Sequence, residues 1–232
     1  MEKLASITEV EESLKDWGLI EQLPQEVNGF TRVPGTGING QILNIVAYVN
    51  EEKHCRLDIT YTTETFDYVP VKTIGLHTFR DERFFARDRE RFGEMLLKHL
   101  PEILKDMLRE DKHEYGFEAE SLGFEKWDFW RTLPEKIGSF ERFIDPEHPL
   151  VYLNGSTIFL DYTDFEHGHQ IYFSYNSFRN DVFAEMKQHY LPLTTELYDV
   201  PLNVVDSKKL AHLEKLIEKH LRNTMQELSK ED

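Results

Sequence analysis

The sequence predicts an α+β protein: mostly antiparallel sheets, helices packed on one face, and an internally duplicated α-β-β-β-α unit. Three observations predict it. Strand-like segments lie a few residues apart, and short connections favour antiparallel pairing. Helical segments with a single apolar stripe flank these runs, the pattern of helices laid on a sheet. The order of elements also recurs, with short shared words at differing offsets. Phe79-Arg80-Asp81-Glu82 answers Phe178-Arg179-Asn180-Asp181, Leu97-Lys98-His99-Leu100 answers Glu218-Lys219-His220-Leu221, and Asn39-Gly40 answers Asn154-Gly155. Self-similarity on this scale is a fold-level signal. It divides the chain into an α+β half over 1–116 and a second over 117–232, standing apart or merged in one continuous compact domain.

The first element is a helix. Leu4, Ile7, Val10, Leu14 and Trp17 recur at helical spacing, Ser6 and Glu9 have the capping-box pattern, and Gly18 is the stop. A short strand is expected at 29–33, then a wide loop through Pro34-Gly35-Thr36-Gly37. Strands follow at 41–50, 55–63 and 69–78. In the second, Leu57, Ile59 and Tyr61 share one face; in the third, Val69, Val71, Thr73, Gly75 and His77 do. A charged helix is expected over 82–110, with Phe85, Phe92, Leu96, His99, Ile103 and Met107 on or near one stripe and Pro101 kinking or splitting it.

Residues 111–123 read as polar loop, and 124–133 as a short aromatic helix packing between the halves. The second half offers strands at 140–144, 150–153, 157–163 and 170–175. Asn180 or Asp181 is placed to cap a helix to about 190, and a strand is expected over 193–200. Asp206 caps a last helix whose stripe is Leu210, Leu213, Ile217, Leu221 and Leu228.

Composition narrows the function. Hydrophobic residues make up 40% of 232, with 16 Phe and 10 Tyr, so a packed core is expected. The net charge of −16 is spread over both halves. Such a field repels phosphate backbones, which argues against nucleic acid as partner; it keeps the protein in solution or steers it toward a basic partner. The single cysteine, Cys55, rules out an internal disulfide and fits a reducing cytoplasm. No apolar run approaches the ~20 residues of a membrane span, so neither a signal peptide nor a membrane helix is expected.

Each candidate site has an ordinary reading beside the chemical one. Asp161, Asp164, Glu166, His167 and His169 include metal-ligating types, but their spacing fits no known metal motif and strand alternation sends Asp161 and Asp164 to opposite faces. The Pro34–Gly40 segment lacks the Lys-Ser/Thr of a phosphate loop and leads into a strand, not a helix. The run from Arg80 to Arg91 reads as a solvated helix face with charge pairs three or four residues apart. Arg80 and Arg179 stand out from it, since each follows a Phe where a strand hands over to a helix. His77 is the histidine placed for chemistry, on the inner side of a strand. Phe124, Trp127, Phe129 and Trp130 form either a core or a partner-binding anchor.

No cofactor motif is present in these patterns. The favoured function is a non-enzymatic, cytoplasmic protein-interaction module, pairing with a protein partner or with itself as a homodimer. The order of helix, three strands, helix, then strand and helix is similar to that of type III secretion chaperones, and small acidic immunity proteins share its acidity. Either resemblance implies partner binding. The other reading is a small-molecule or metal-dependent enzyme with its site between the halves, drawing on His77, Arg80, Asp161, His167, His169 and Arg179.

Overall fold

Ser6 opens helix α1 (Ile7–Ser13) through the reciprocal bonds that its spacing from Glu9 predicts. The Glu9 amide donates to Ser6 Oγ at 3.3 Å, and the Ser6 amide to Glu9 Oε2 at 2.8 Å. This helix opens the first of two compact units, Met1–Glu110 and Asp111–Asp232. The computed structural model describes residues 6–110, 127–152, 155–179, 181–193, 202–203 and 207–228. The α1 helix stops short of Trp17, because Ser13 Oγ donates back to Val10 O at 2.7 Å and Leu14–Asp16 tighten into a 3-10 turn. Gly18 then precedes a short second helix, α2 (Leu19–Gln22), instead of ending the first.

The first sheet, among the described residues, has six antiparallel strands in chain order: β1 (Glu26–Val27), β2 (Phe30–Asn39), β3 (Ile42–Asn50), β4 (Cys55–Thr62), β5 (Asp67–Ile74) and β6 (His77–Arg80). Two expectations need correction. The segment 69–78 is not one strand, because Gly75 takes the left-handed φ of +60° and turns the chain so that Ile74 faces His77. The Pro34–Gly37 segment is not a loop. Strand β2 runs through it, shifting register between Pro34 and Gly37. Gly35 lies so close to β3 that a Cβ would overlap the Asn44 carbonyl oxygen and the Ile45 carbonyl carbon. Both are backbone atoms and cannot swing aside. Gly35→Ala is expected to lower stability by the ~1–3 kcal/mol of an overpacked site. An unchanged urea midpoint would show that the strands part at no cost.

Helix α3 (Arg89–Leu108) starts later than the charged run suggests. Asp81 first caps a 3-10 turn at Glu82–Phe84, and Asp88 then caps α3 by accepting from the Arg91 amide at 2.7 Å. The helix is neither stopped nor divided at Pro101, whose carbonyl accepts from Asn28 Nδ2 at 2.7 Å. Its buried residues include Phe92, Leu96, Ile103 and Met107, and the Phe92 ring stacks on Tyr68 at 5.5 Å. Trp17 reaches the same Tyr68 at 5.8 Å. Cys55 is buried, with Sγ 3.5 Å from the Met107 carbonyl oxygen, and burial pushes its thiol up to about 11.

In the second unit a 3-10 turn, Phe129–Thr132, leads into β7 (Lys136–Ile137), β8 (Phe140–Ile144), β9 (Leu150–Val151), β10 (Ser156–Asp164), β11 (His169–Asn176), β12 (Asp181–Gln188), β13 (Leu191–Leu193) and β14 (Leu202–Asn203). The sheet runs β13-β12-β11-β10-β8-β7, with β14 also on β12 and β9 also on β10, all antiparallel. Here a helix expected from Asn180 or Asp181 to about 190 is a strand. Val182, Ala184 and Met186 are buried on one face while Phe183, Glu185 and Lys187 take the other, so period two wins over the cap. The expected strand over 193–200 begins earlier, at Leu191, and 194–200 lie outside the described residues, as do Asp206 and Phe124. Helix α4 (Ser207–Leu228) places Leu213, Ile217 and Leu221 in a core with Trp127, Trp130, Phe159 and Phe173.

Row by row, the two sheets read alike. Arg32, Tyr48, Leu57, Lys72 and Phe79 stand in one row across β2 to β6. Arg142, Tyr162, Ile171, Met186 and Leu193 stand in one row across β8 and β10 to β13. Arg32 donates to the carbonyls of Ile20 and Leu23, and Arg142 to those of Trp130 and Leu133. The Tyr48 hydroxyl donates to Pro24 O at 2.7 Å, and the Tyr162 hydroxyl to Pro134 O at 2.5 Å. Each sheet also shifts register two residues before its tyrosine, between Asn44 and Val46 in one and between Ile158 and Leu160 in the other.

Candidate functional site

Strands β10, β11 and β12 turn Leu160, Tyr162, Ile171, Phe173, Val182, Ala184 and Met186 toward the core that α4 joins. Alternation gives their other face a polar set. Across it, Asp161 stands opposite Tyr172, which stands opposite Glu185; Thr163 stands opposite Gln170, which stands opposite Lys187. A sheet face of this kind is ordinarily wet. Here Asp161, Thr163 and Gln170 are each 0% exposed. They hold one another: Thr163 Oγ1 donates to Asp161 Oδ1 at 2.6 Å, and Gln170 Nε2 to Asp161 Oδ2 at 2.7 Å.

Beside this floor lies a recess of about 340 Å³. Tyr152, Ser156 and Ile158 line one side, Tyr172, Ser174 and Asn176 the middle, and Arg179, Phe183 and Glu185 the other side. Its rim is built by a turn. Asn176 Oδ1 accepts from the amides of Phe178 at 3.1 Å and Arg179 at 3.0 Å, which fixes the β11–β12 connection. Arg179 then lies over the Phe183 ring at 4.6 Å. The Asn176 amide also donates to Ser156 Oγ at 3.0 Å, tying the recess wall to β10.

Burial shifts the titration of several side chains here. Burial, then the Glu185 carboxylate, pushes both the Tyr152 and Tyr172 phenols well above their ordinary range. Burial pulls the Lys187 ammonium down, while Asp161 and Glu185 pull it back up. Its Nζ lies 5.7 Å from the centre of the Tyr172 ring. A hydrogen bond to the Glu185 carboxylate helps keep the Tyr172 phenol protonated.

The other expected site residues are scattered. Trp127 and Trp130 are 6% and 7% exposed within the second unit's core, and Phe129 is partly buried against it. His77 is buried opposite Ile74. Arg80 closes β6 and pairs with Glu64 at 2.7 Å. Arg80 and Arg179 do not occupy matching places: one ends a strand, the other sits in a turn between two strands. Asp164 stands apart from Asp161, on the opposite face and at the end of β10. It accepts from the amides of Glu166 and His167, and its second oxygen is 2.8 Å from His167 Nδ1. Burial raises that carboxyl, but hydrogen bonds from Ser139 and His167 outweigh it and hold it below the ordinary carboxylate range. His169 stacks between Phe140 and His167 at this same end. Among the described residues, no group of three or more His, Cys, Asp or Glu is placed to hold a metal ion.

Of the buried floor and the recess beside it, sequence reasoning finds Asp161 and Arg179 and misses Tyr152, Tyr172, Glu185 and Lys187. The signal for the last two was the alternation in 181–188, hidden by the helix-cap reading. Among the described residues no helix is long and apolar enough to cross a membrane. Comparison with family models, curated proteins and solved structures finds no match to this chain.

Proposed function

We propose that this protein is a non-enzymatic binding module made of two copies of one α+β unit, each with its helices gathered on one face of its sheet, and that the recess of the second unit is its binding site. The matched rows, arginine and tyrosine bonds and register shifts support the duplication. One observation carries the site: the buried trio Asp161, Thr163 and Gln170. The first sheet has Ala47, Val49 and Arg56 in the same three places, counted from Tyr48 and Leu57 as these are from Tyr162 and Ile171. A sheet of this pattern therefore does not need a buried carboxyl there. Both oxygens of Asp161 take a bond, one from Thr163 and one from Gln170, and such a network holds these side chains in fixed positions. Fixed positions are what a binding site uses.

Phe178 supports a protein as the partner. It is 82% exposed in the turn that carries Arg179, at the rim of the recess. An exposed aromatic beside a polar recess is the make-up of an interface anchor. A net charge of −16 would speed encounter with a basic partner. Native mass spectrometry of the full chain, gently purified from its own host, tests the reading. Added mass is expected on the wild type and not on Arg179→Ala or Phe178→Ser. Mass retained equally by all three, or absent from all three, would overturn it.

A further inference from the structure

We infer that His169 is a proton-operated latch on strand β13: neutral, it holds the β12–β13 turn closed, and on taking a proton it lets the turn go. The latch works whatever the recess binds. The turn is made of His189 and Tyr190, with φ of +47° and +67°. Both lie in the left-handed region, which two-residue hairpins ordinarily fill with asparagine, aspartate or glycine. A turn of bulkier residues needs holding from outside, and the end of the β10–β11 hairpin supplies three holds. The Gly168 carbonyl accepts from the Tyr190 amide at 2.8 Å. The Tyr190 ring lies so close over Gly168 that a Cβ there would sit 2.5 Å from it. His169 Nδ1 accepts from the His189 amide at 3.4 Å. Beyond the turn, β13 is three residues at one end of the strand order, paired with Met186 to Gln188.

A ring nitrogen that accepts an N–H bond carries no proton. Once protonated, Nδ1 is a donor facing a donor, and the third hold becomes a repulsion. The surroundings add to it. His169 is 5% exposed, with the His167 ring nearly parallel at 5.9 Å and the His189 ring at 4.7 Å. Phe140 on β8 covers it and brings no charge. The titratable groups around it are Asp164 on β10, Glu166 and His167 in the β10–β11 turn, and His189 and Tyr190 in the β12–β13 turn. Asp164 stands opposite His169 in the ladder and would favour a proton there. Its oxygens are already engaged, one by the amides of Glu166 and His167, the other by His167 Nδ1 at 2.8 Å. Its charge is therefore spent on His167. Histidine changes charge between roughly pH 8 and 5, so acid turns three neighbouring imidazoles into cations together. Relief comes from moving His189, whose turn is strained and whose strand is short. The latch is closed at the alkaline end of that range and open at the acid end, where β12 loses its partner from Met186 to Gln188.

NMR of the isotope-labelled full chain tests this between about pH 8 and pH 5. Ring-nitrogen spectra at the alkaline end are expected to show His169 Nδ1 without a proton. As that nitrogen gains one, the hydrogen-exchange protection of the Tyr190, Leu191 and Leu193 amides should fall about fivefold, roughly what one hydrogen bond contributes. The amides of Tyr162 and Ile171, in the middle of the sheet, should keep theirs. His169→Gln retains an acceptor and takes no proton in this range, so its turn is expected to hold at both ends. Circular dichroism checks the fold of the variant, and the wild-type spectra decide the matter if it fails to fold. A proton already on His169 Nδ1 at the alkaline end would overturn the latch. So would protection that stays level down to the acid end, or that falls as far in a folded His169→Gln.

Discussion

Trp127→Ala is expected to lower the stability of the second unit by about 3–5 kcal/mol, the usual cost of emptying a large aromatic site. The ring is 6% exposed, meets Phe159 edge-on at 5.7 Å and lies against Phe129 at 5.7 Å. Its Nε1–H donates to Glu214 Oε1 on α4 at 3.0 Å. Removing it opens a cavity and takes away one of the ties between helix and sheet. Urea unfolding followed by circular dichroism measures the effect. An unshifted midpoint would mean that the ring is not held in this core and would restore it as a surface anchor.

Asp81→Asn is expected to cost about 3–5 kcal/mol, because it strips the partner from a buried ammonium. Lys72 Nζ and Asp81 Oδ2 are 2.7 Å apart, with side chains 4% and 2% exposed. Arg83 adds a contact to the same carboxylate at 2.8 Å. Lys72→Met in the Asp81→Asn background should recover most of the loss, since Met186 occupies the matching place in the second sheet. Failure of the double variant to recover would show that the two charges act independently. Burial alone would raise the Asp81 carboxyl, but the bonds from Arg83 and Lys72 outweigh it and hold it at about 2. A depressed carboxylate adds stability above its unfolded value of ~3.9 and loses it as pH falls through the folded one. The first unit should therefore lose about 2 kcal/mol between pH 4 and 2 from this group. Asp81→Asn should flatten that part of the curve.

The elements whose signals are local were legible in the sequence. The Ser6–Glu9 cap, the meander of 42–62 and the apolar stripe of the last helix depend on neighbours a few residues apart. What misled was local chemistry overruled by long-range pairing. Asp181 is a residue type suited to a helix cap, yet Val182 to Lys187 pairs with β11 from Tyr175 to Gln170, and a ladder of that length outweighs one capping bond. The glycines of 34–37 look like a loop until β3 is laid beside them; Gly35 is there because two backbones nearly touch. The echoed Phe-Arg words mark unlike places. The echo with structural content is Trp17, Leu23, Pro24, Phe30 and Arg32 against Trp127, Leu133, Pro134, Phe140 and Arg142. In each set the arginine and the proline carbonyl are tied to partners that only the fold brings near. The recess was least legible of all, because its residues come from three strands and the segments beside them and mean little until those strands are in register.

Cys55 gives the first unit a clock of its own. It is the chain's only thiol, it belongs to one unit alone, and at about 11 its thiolate is scarce at neutral pH. A thiol-directed reagent therefore waits for β4 to part from the end of α3. Each label that lands counts one opening event of that unit, while the second unit, whatever it binds, stays silent.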